Sequence, residues 1–255
     1  MGTITLAGVD LELWEGGDGP PVLFLHGAGG FRPDDPFVAL LSQQRHVIAP
    51  SHPGFGGSAL PDWFDRPDDV AHLYLELLAQ LGHPRLDLIG CSLGGWIAAE
   101  LASMVPERFS RLVLVGPVGV KLGSRDTLDI PDIFAMPAAA VEKLLYHDPD
   151  RHRPDLANLS DAQLATMLRN RETTALLTWE PFMHNPKLRH RLHRVRCPAL
   201  LLRGESDGLI SAAYLEGYAK LLPDGRTATI TAAGHVPQLE QPEAFADKVL
   251  AFLNG

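Results

Sequence analysis

A chain of 255 residues, 45% hydrophobic and 21% charged, can bury one substantial core and has the balance of an ordinary globular protein. Its formal net charge of −9 excludes nucleic acid as the main partner, because phosphate binding needs a basic surface. Its two cysteines, Cys91 and Cys197, show neither a disulfide framework nor metal-ligand spacing and read as buried free thiols.

Residues 3–6 and 11–14 read as an opening hairpin that turns at Gly8. Residues 21–25 are an unbroken apolar run, as expected of a central strand buried on both faces. Residues 46–50 make the next strand. Val70, Leu73, Leu77 and Leu78 give helical spacing over 68–80, and Gly82 ends it. A strand over 85–89, a helix over 93–102 and a strand over 111–116 follow. The alternation stops near Pro117 and resumes near Ala199. It then runs through a strand at 200–204, a helix at 212–222, a strand at 226–231 and a helix at 243–253. Such alternation marks a parallel sheet covered on both faces, hence an α/β fold.

The interruption is helical in flavour and too apolar for a disordered linker, with Phe134, Met136, Leu144, Trp179, Phe182 and Met183. The expected organisation is a core over 1–117 and 197–255, with a helical insertion over 118–196. Residues 187–196 are strongly basic, and Leu188, Leu192 and Val195 fall at i, i+4 and i+7. This predicts a solvated helix with one apolar stripe, not a nucleic-acid site. Residues 1–6 lack the features of a secretory signal or a myristoylation site, and the apolar run 112–115 is only strand-length. The expectation is a cytoplasmic chain with no membrane partner.

Gly90-Cys91-Ser92-Leu93-Gly94 lies between a predicted strand and a predicted helix. It matches G-x-S-x-G, a sharp turn that lifts a serine hydroxyl above a sheet at the positive end of a helix. A serine hydroxyl is a poor nucleophile unless a base takes its proton and a third group orients that base. His235 is the expected base, because it follows a late strand and the turn Ala232-Ala233-Gly234. Asp207 is the expected orienting acid, just past the strand at 200–204, with Glu205 as its rival. The oxyanion hole needs two backbone N–H groups. Leu93 supplies one, and Ala28 or else Gly29 supplies the other from His26-Gly27-Ala28-Gly29-Gly30. That glycine-rich loop lacks the spacing of a phosphate cradle.

His26-Gly27-Ala28-Gly29-Gly30, Pro53-Gly54-Phe55-Gly56-Gly57-Ser58, Gly90 to Gly95, Gly204-Glu205-Ser206-Asp207 and Gly234-His235-Val236-Pro237 together resemble the α/β-hydrolase superfamily along essentially the whole chain. The resemblance implies a mostly parallel eight-stranded sheet with helices on both faces and a helical lid inserted after strand 6. It implies that Glu240 supports the base loop or the final helix. It implies a serine hydrolase that cleaves a small or medium carboxylic ester through an acyl-enzyme, with ester and water as partners and no cofactor or metal. Phe134, Trp179, Met183 and Val236 are the expected lining of an apolar substrate pocket. Meta-cleavage C–C hydrolases are similar but usually carry Asn before the nucleophile and Trp after the base, where this chain has Cys91 and Val236. Perhydrolase, lactonase and thioesterase chemistry, and a non-catalytic ligand-binding member, are the alternatives. A homodimer is compatible with the sequence.

Overall fold

Backbone pairing turns the alternating pattern into one sheet in the computed structural model, which describes residues 1–255. The chain runs through β1 (Gly2–Leu6), β2 (Val9–Gly16), β3 (Pro21–Leu25), α1 (Pro36–Ser42), β4 (His46–Pro50) and α2 (Pro67–Leu81). It continues through β5 (Leu86–Cys91), α3 (Leu93–Met104) and β6 (Phe109–Val115). The insertion contributes α4 (Ala138–Leu145), α5 (Pro149–His152) and α6 (Asp161–Thr178). The core resumes with β7 (Ala199–Gly204), α7 (Ala212–Ala219), β8 (Gly225–Ile230), α8 (Pro237–Glu240) and α9 (Pro242–Asn254).

The eight strands are ordered β1-β2-β4-β3-β5-β6-β7-β8. The first two are antiparallel to their neighbours, and β3 to β8 pair in parallel. Alternation along the inner strands sorts side chains between two apolar layers. Leu88, Leu112, Leu114 and Leu201 face the layer formed with α2, α3 and α7. Ile89, Val113, Val115 and Leu202 face the layer formed with α1 and α9. Parallel strands covered on both sides must be apolar throughout, which is why 21–25 and 112–115 show no polar alternation.

The structure adds two short helices that the sequence pattern does not show, α1 and α8, and departs from that pattern in two further places. α7 ends at Ala219, not Leu222, because the N–H groups of Leu221 and Leu222 turn back to Tyr218 and Ala219 three residues earlier. The basic run 187–196 is not an α-helix. It forms two 3₁₀ turns, Leu188–His190 and Leu192–Arg194, closed by three-residue hydrogen bonds. Leu188, Leu192 and Val195 are nevertheless buried. The tighter winding packs the second turn against α3 and delivers the chain directly to β7. No helix is long and apolar enough to cross a membrane.

One ion pair is buried beneath the sheet. Arg45 donates to Asp87 of β5 at 2.7 Å and to the Asn254 side chain of α9 at 2.6 Å. Both charged residues are at most 5% exposed. Burial pushes the Asp87 carboxyl above its usual range, and Arg45 acts against that shift. Arg45→Ala should therefore cost about 3 kcal/mol of stability in urea unfolding at neutral pH, because it takes the main cationic partner from a buried carboxylate and leaves it only Arg111. A loss below about 1 kcal/mol would show that Asp87 escapes the penalty by taking up a proton or reaching water.

Candidate active site

β5 delivers Ser92 to the carboxyl edge of the sheet, and α3 begins at the next residue. Ser92 has φ 52° and ψ −111°, a backbone that a residue with a side chain adopts only under strain. Its N–H donates to Val115 O at 2.8 Å, and its carbonyl accepts the Trp96 N–H at 3.1 Å. The crossing of strand, turn and helix is tight. A Cβ on Gly94 would strike the carbonyls of Leu25 and His26, so only glycine lets α3 approach the loop after β3 so closely.

Three side chains from three loops meet above this turn. Ser92 Oγ lies 2.9 Å from His235 Nε2. His235 Nδ1 lies 3.0 Å from Asp207 Oδ2. A carboxylate only accepts, so the proton sits on Nδ1, and Nε2 is left to accept from the serine hydroxyl. Asp207 Oδ1 accepts the N–H groups of Leu209 and Ile210 at 2.9 and 2.8 Å, which fixes the carboxylate plane. His235 and Asp207 are each 5% exposed. Glu205 is exposed and has no part in this cluster. Gly116, just past β6, has φ +50°, and a Cβ there would stand 2.9 Å from His235 Cε1. The close approach of the imidazole thus requires glycine at a position that only looked like a strand end.

Ala28, Gly29 and Leu93 are the expected oxyanion donors. Their N–H groups donate to no other group of the chain. Gly30 N–H closes a turn on Gly27 O at 3.1 Å, which exposes the Ala28–Gly29 peptide. Beneath the loop, the His26 and His52 rings pack at a tilt of 34° with centroids 3.8 Å apart. His26 Nδ1 bonds Gly27 O, and His26 Nε2 accepts the His52 N–H. His52 Nε2 donates to His26 O, and His52 Nδ1 accepts from the Tyr74 hydroxyl. Each ring uses one donor and one acceptor nitrogen, so both are neutral.

The insertion grips the loops that carry His235 and Asp207. Leu145 O accepts the His235 N–H at 2.7 Å, and Leu144 O accepts the Gly208 N–H at 3.0 Å. Buried Glu240 accepts the N–H groups of His147 and Asp148 on one oxygen and of Gly234 on the other. Nothing in the sequence around Leu144 and Leu145 signals this, because the contacts are made by main chain.

The four expected pocket residues occupy different environments. Val236 is half-buried beside His235 and opens α8. Phe134 is half-buried against Phe182, ring centroids 6.4 Å apart. Met183 is buried in the main core, where its carbonyl accepts the Gly119 N–H. Trp179 is 61% exposed. It caps α6, whose inward side is occupied by Thr174, Leu177 and Thr178 instead. No three His, Cys, Asp or Glu side chains are grouped to hold a metal ion. Both cysteines are free and buried, and burial pushes both thiols up, Cys197 to about 11.

Fold and site together are those of a hydrolase built on a mostly parallel sheet. The alpha/beta hydrolase family matches residues 22–248, and the chain belongs to that family. It is 31% identical to a 2-hydroxymuconate semialdehyde hydrolase of Pseudomonas putida, over 98% of this chain and 92% of that protein. It is 29% identical to a pimeloyl-[acyl-carrier protein] methyl ester esterase of Aromatoleum aromaticum, over 88% of this chain and 94% of the esterase. Among solved structures, a meta-cleavage product hydrolase from Pseudomonas fluorescens IP01 superposes with a TM-score of 0.80 at 21% identity, covering 100% of this chain and 97% of that one.

Burial holds the His26 pKa down to about 4, from an ordinary 6.5. Between these values the unfolded chain binds a proton that the folded chain refuses. Stability from this group is therefore complete above pH 6.5 and declines as pH falls towards 4. The full loss is roughly 3 kcal/mol. Urea midpoints measured from pH 7 to pH 4 should fall less steeply in His26→Gln than in the wild type. Parallel profiles would show that His26 takes up its proton in the folded state.

Proposed function

We propose that this hydrolase is a serine esterase that cleaves a small or medium carboxylic ester through an acyl-enzyme. The hydrogen-bonded chain from Asp207 through His235 to Ser92 carries the proposal, with steps of 3.0 and 2.9 Å. Ser92 Oγ attacks the ester carbonyl carbon and gives its proton to His235 Nε2. Asp207 orients the ring and stabilises the imidazolium. The N–H groups of Leu93 and of Ala28, or else Gly29, hold the carbonyl oxygen as it becomes an oxyanion. The bond to the alcohol oxygen breaks as His235 returns the proton to it. A water then gives a proton to Nε2 and attacks the acyl carbon. Ser92 leaves with that proton, and the acid is released.

The relative named as a methyl ester esterase supports the ester assignment. The relative named as a semialdehyde hydrolase favours a second reading, hydrolysis of a carbon–carbon bond by the same groups. Cys91 and Val236 flank the nucleophile and the base where the resemblance to C–C hydrolases would place Asn and Trp. A panel of esters, lactones, thioesters, peracid-forming conditions and ring-cleavage products should give the highest kcat/KM on an ester. A carbon–carbon substrate turned over faster would replace the ester assignment.

Ser92→Ala should lower p-nitrophenyl ester turnover by about 10⁴-fold or more and abolish fluorophosphonate labelling. Asp207→Asn should cost about 10⁴-fold in kcat while leaving substrate affinity nearly unchanged. A wild-type protein that neither labels nor turns over any ester would instead be a ligand-binding member of the fold.

A further inference from the structure

The oxyanion loop is held from outside by one side chain of the insertion. Asn170 lies in α6 and is 6% exposed. Its Nδ2 donates to Gly29 O at 3.2 Å, and its Oδ1 accepts the Gly56 N–H at 3.1 Å. One amide therefore joins the loop after β3 to the turn after β4. Gly30 takes φ +84° against it, and a Cβ there would stand 2.7 Å from Nδ2.

The neighbours of Asn170 act on the other loop alone. Arg169 donates to the carbonyls of Gly56 and Ser58, and the Thr173 hydroxyl donates to Gly54 O at 3.0 Å. These bonds dock α6 on the 54–58 turn without touching residues 27–30. Residues 27–30 include three glycines and one internal bond, Gly30 N–H to Gly27 O. Glycine peptides have the most conformational freedom to lose, so such a loop needs an external hold to keep two N–H groups aimed at one point. His26 anchors its start and the Phe31 ring, packed on Trp14 and Phe24, anchors the residue after it, but Asn170 makes the one side-chain hydrogen bond to the Ala28–Gly30 stretch between them.

We propose that Asn170 is a positioning residue that fixes the Ala28 and Gly29 N–H groups for the oxyanion. This rests on the serine acyl-transfer mechanism above. Asn170 touches no reacting atom. Its effect belongs to the charged tetrahedral state and not to ground-state binding.

Asn170→Asp is the sharpest test. It keeps the acceptor for Gly56 N–H and removes the donor to Gly29 O. Both Asn170→Asp and Asn170→Ala should lose roughly 10- to 100-fold in kcat on p-nitrophenyl esters with KM little changed, somewhat less than deletion of an oxyanion donor. A trifluoromethyl ketone, whose adduct carries the oxyanion, should weaken by a similar factor. Arg169→Ala should lose less than about 3-fold, since it leaves the loop hold intact. Thermal melting checks that each variant is folded, and Asn170→Asp, close in size to the native residue, is decisive if Asn170→Ala unfolds. Wild-type kcat in folded Asn170→Asp overturns the proposal, as does an equal loss in Arg169→Ala. Ser92→Ala run in parallel separates the levels. If it stays active, the serine mechanism itself fails. If it is dead while Asn170→Asp is wild-type-like, only the role of Asn170 fails.

Discussion

The strained backbone at Ser92 is the constraint from which the rest follows. A serine at φ 52° costs of order 1–3 kcal/mol, and it persists only where its surroundings over-determine it. Here they do. β5 lies between β3 and β6 and is buried along its whole length, and α3 is almost entirely buried above it. Gly90 and Gly94 let strand and helix close on each other, and Gly94 lets the helix close on the loop after β3. The same crossing that strains Ser92 therefore brings Gly27, at the start of the 27–30 loop, close against Cys91 and Ser92.

The insertion is part of the site's framework, not only a layer above it. It reaches the loops bearing Asp207 and His235 through the main chain of Leu144 and Leu145, and the His235 loop again through Glu240. It reaches the 27–30 loop through Asn170. These contacts are hydrogen bonds, with one Glu240 oxygen shared between two N–H groups. Polar contacts of this kind are directional and lose much when a partner moves, so they set position more sharply than apolar packing does. An insertion seated by oriented bonds holds several loops in mutual register while leaving apolar surface elsewhere, as at Trp179 and Leu168, free of the core.

Polar contacts also explain which parts were legible in the sequence. Strands and the longer core helices announce themselves through apolar runs and helical spacing, whereas α1 and α8, of 7 and 4 residues, are too short to show a helical period. α6 did not show a buried face. The residues it turns inward include Asn170, Thr173, Thr174 and Thr178, so the side that packs is polar and no apolar period marks it. The same blindness misplaced Trp179 in a pocket, since an aromatic in an apolar stretch reads as inward when the true inward side is threonine. The basic run 187–196 failed differently. Its apolar stripe, Leu188, Leu192 and Val195, is buried, but spacings of four and three fit a pair of 3₁₀ turns as well as an α-helix.

Local sequence determined what local physics can carry: strand and helix order, the glycine-flanked serine turn, and the candidate acid and base, each placed by its own strand end. The tertiary structure alone decided what depends on residues far apart in the chain. Asn170 meets Gly29 across 141 positions and Gly56 across 114. Gly116 is glycine because an imidazole some 119 positions later rests against it. Hydrogen bonds and close approaches of this sort involve one or two atoms at each end and leave no periodic trace along the chain. They exist only once the sheet has brought its loops to a common edge.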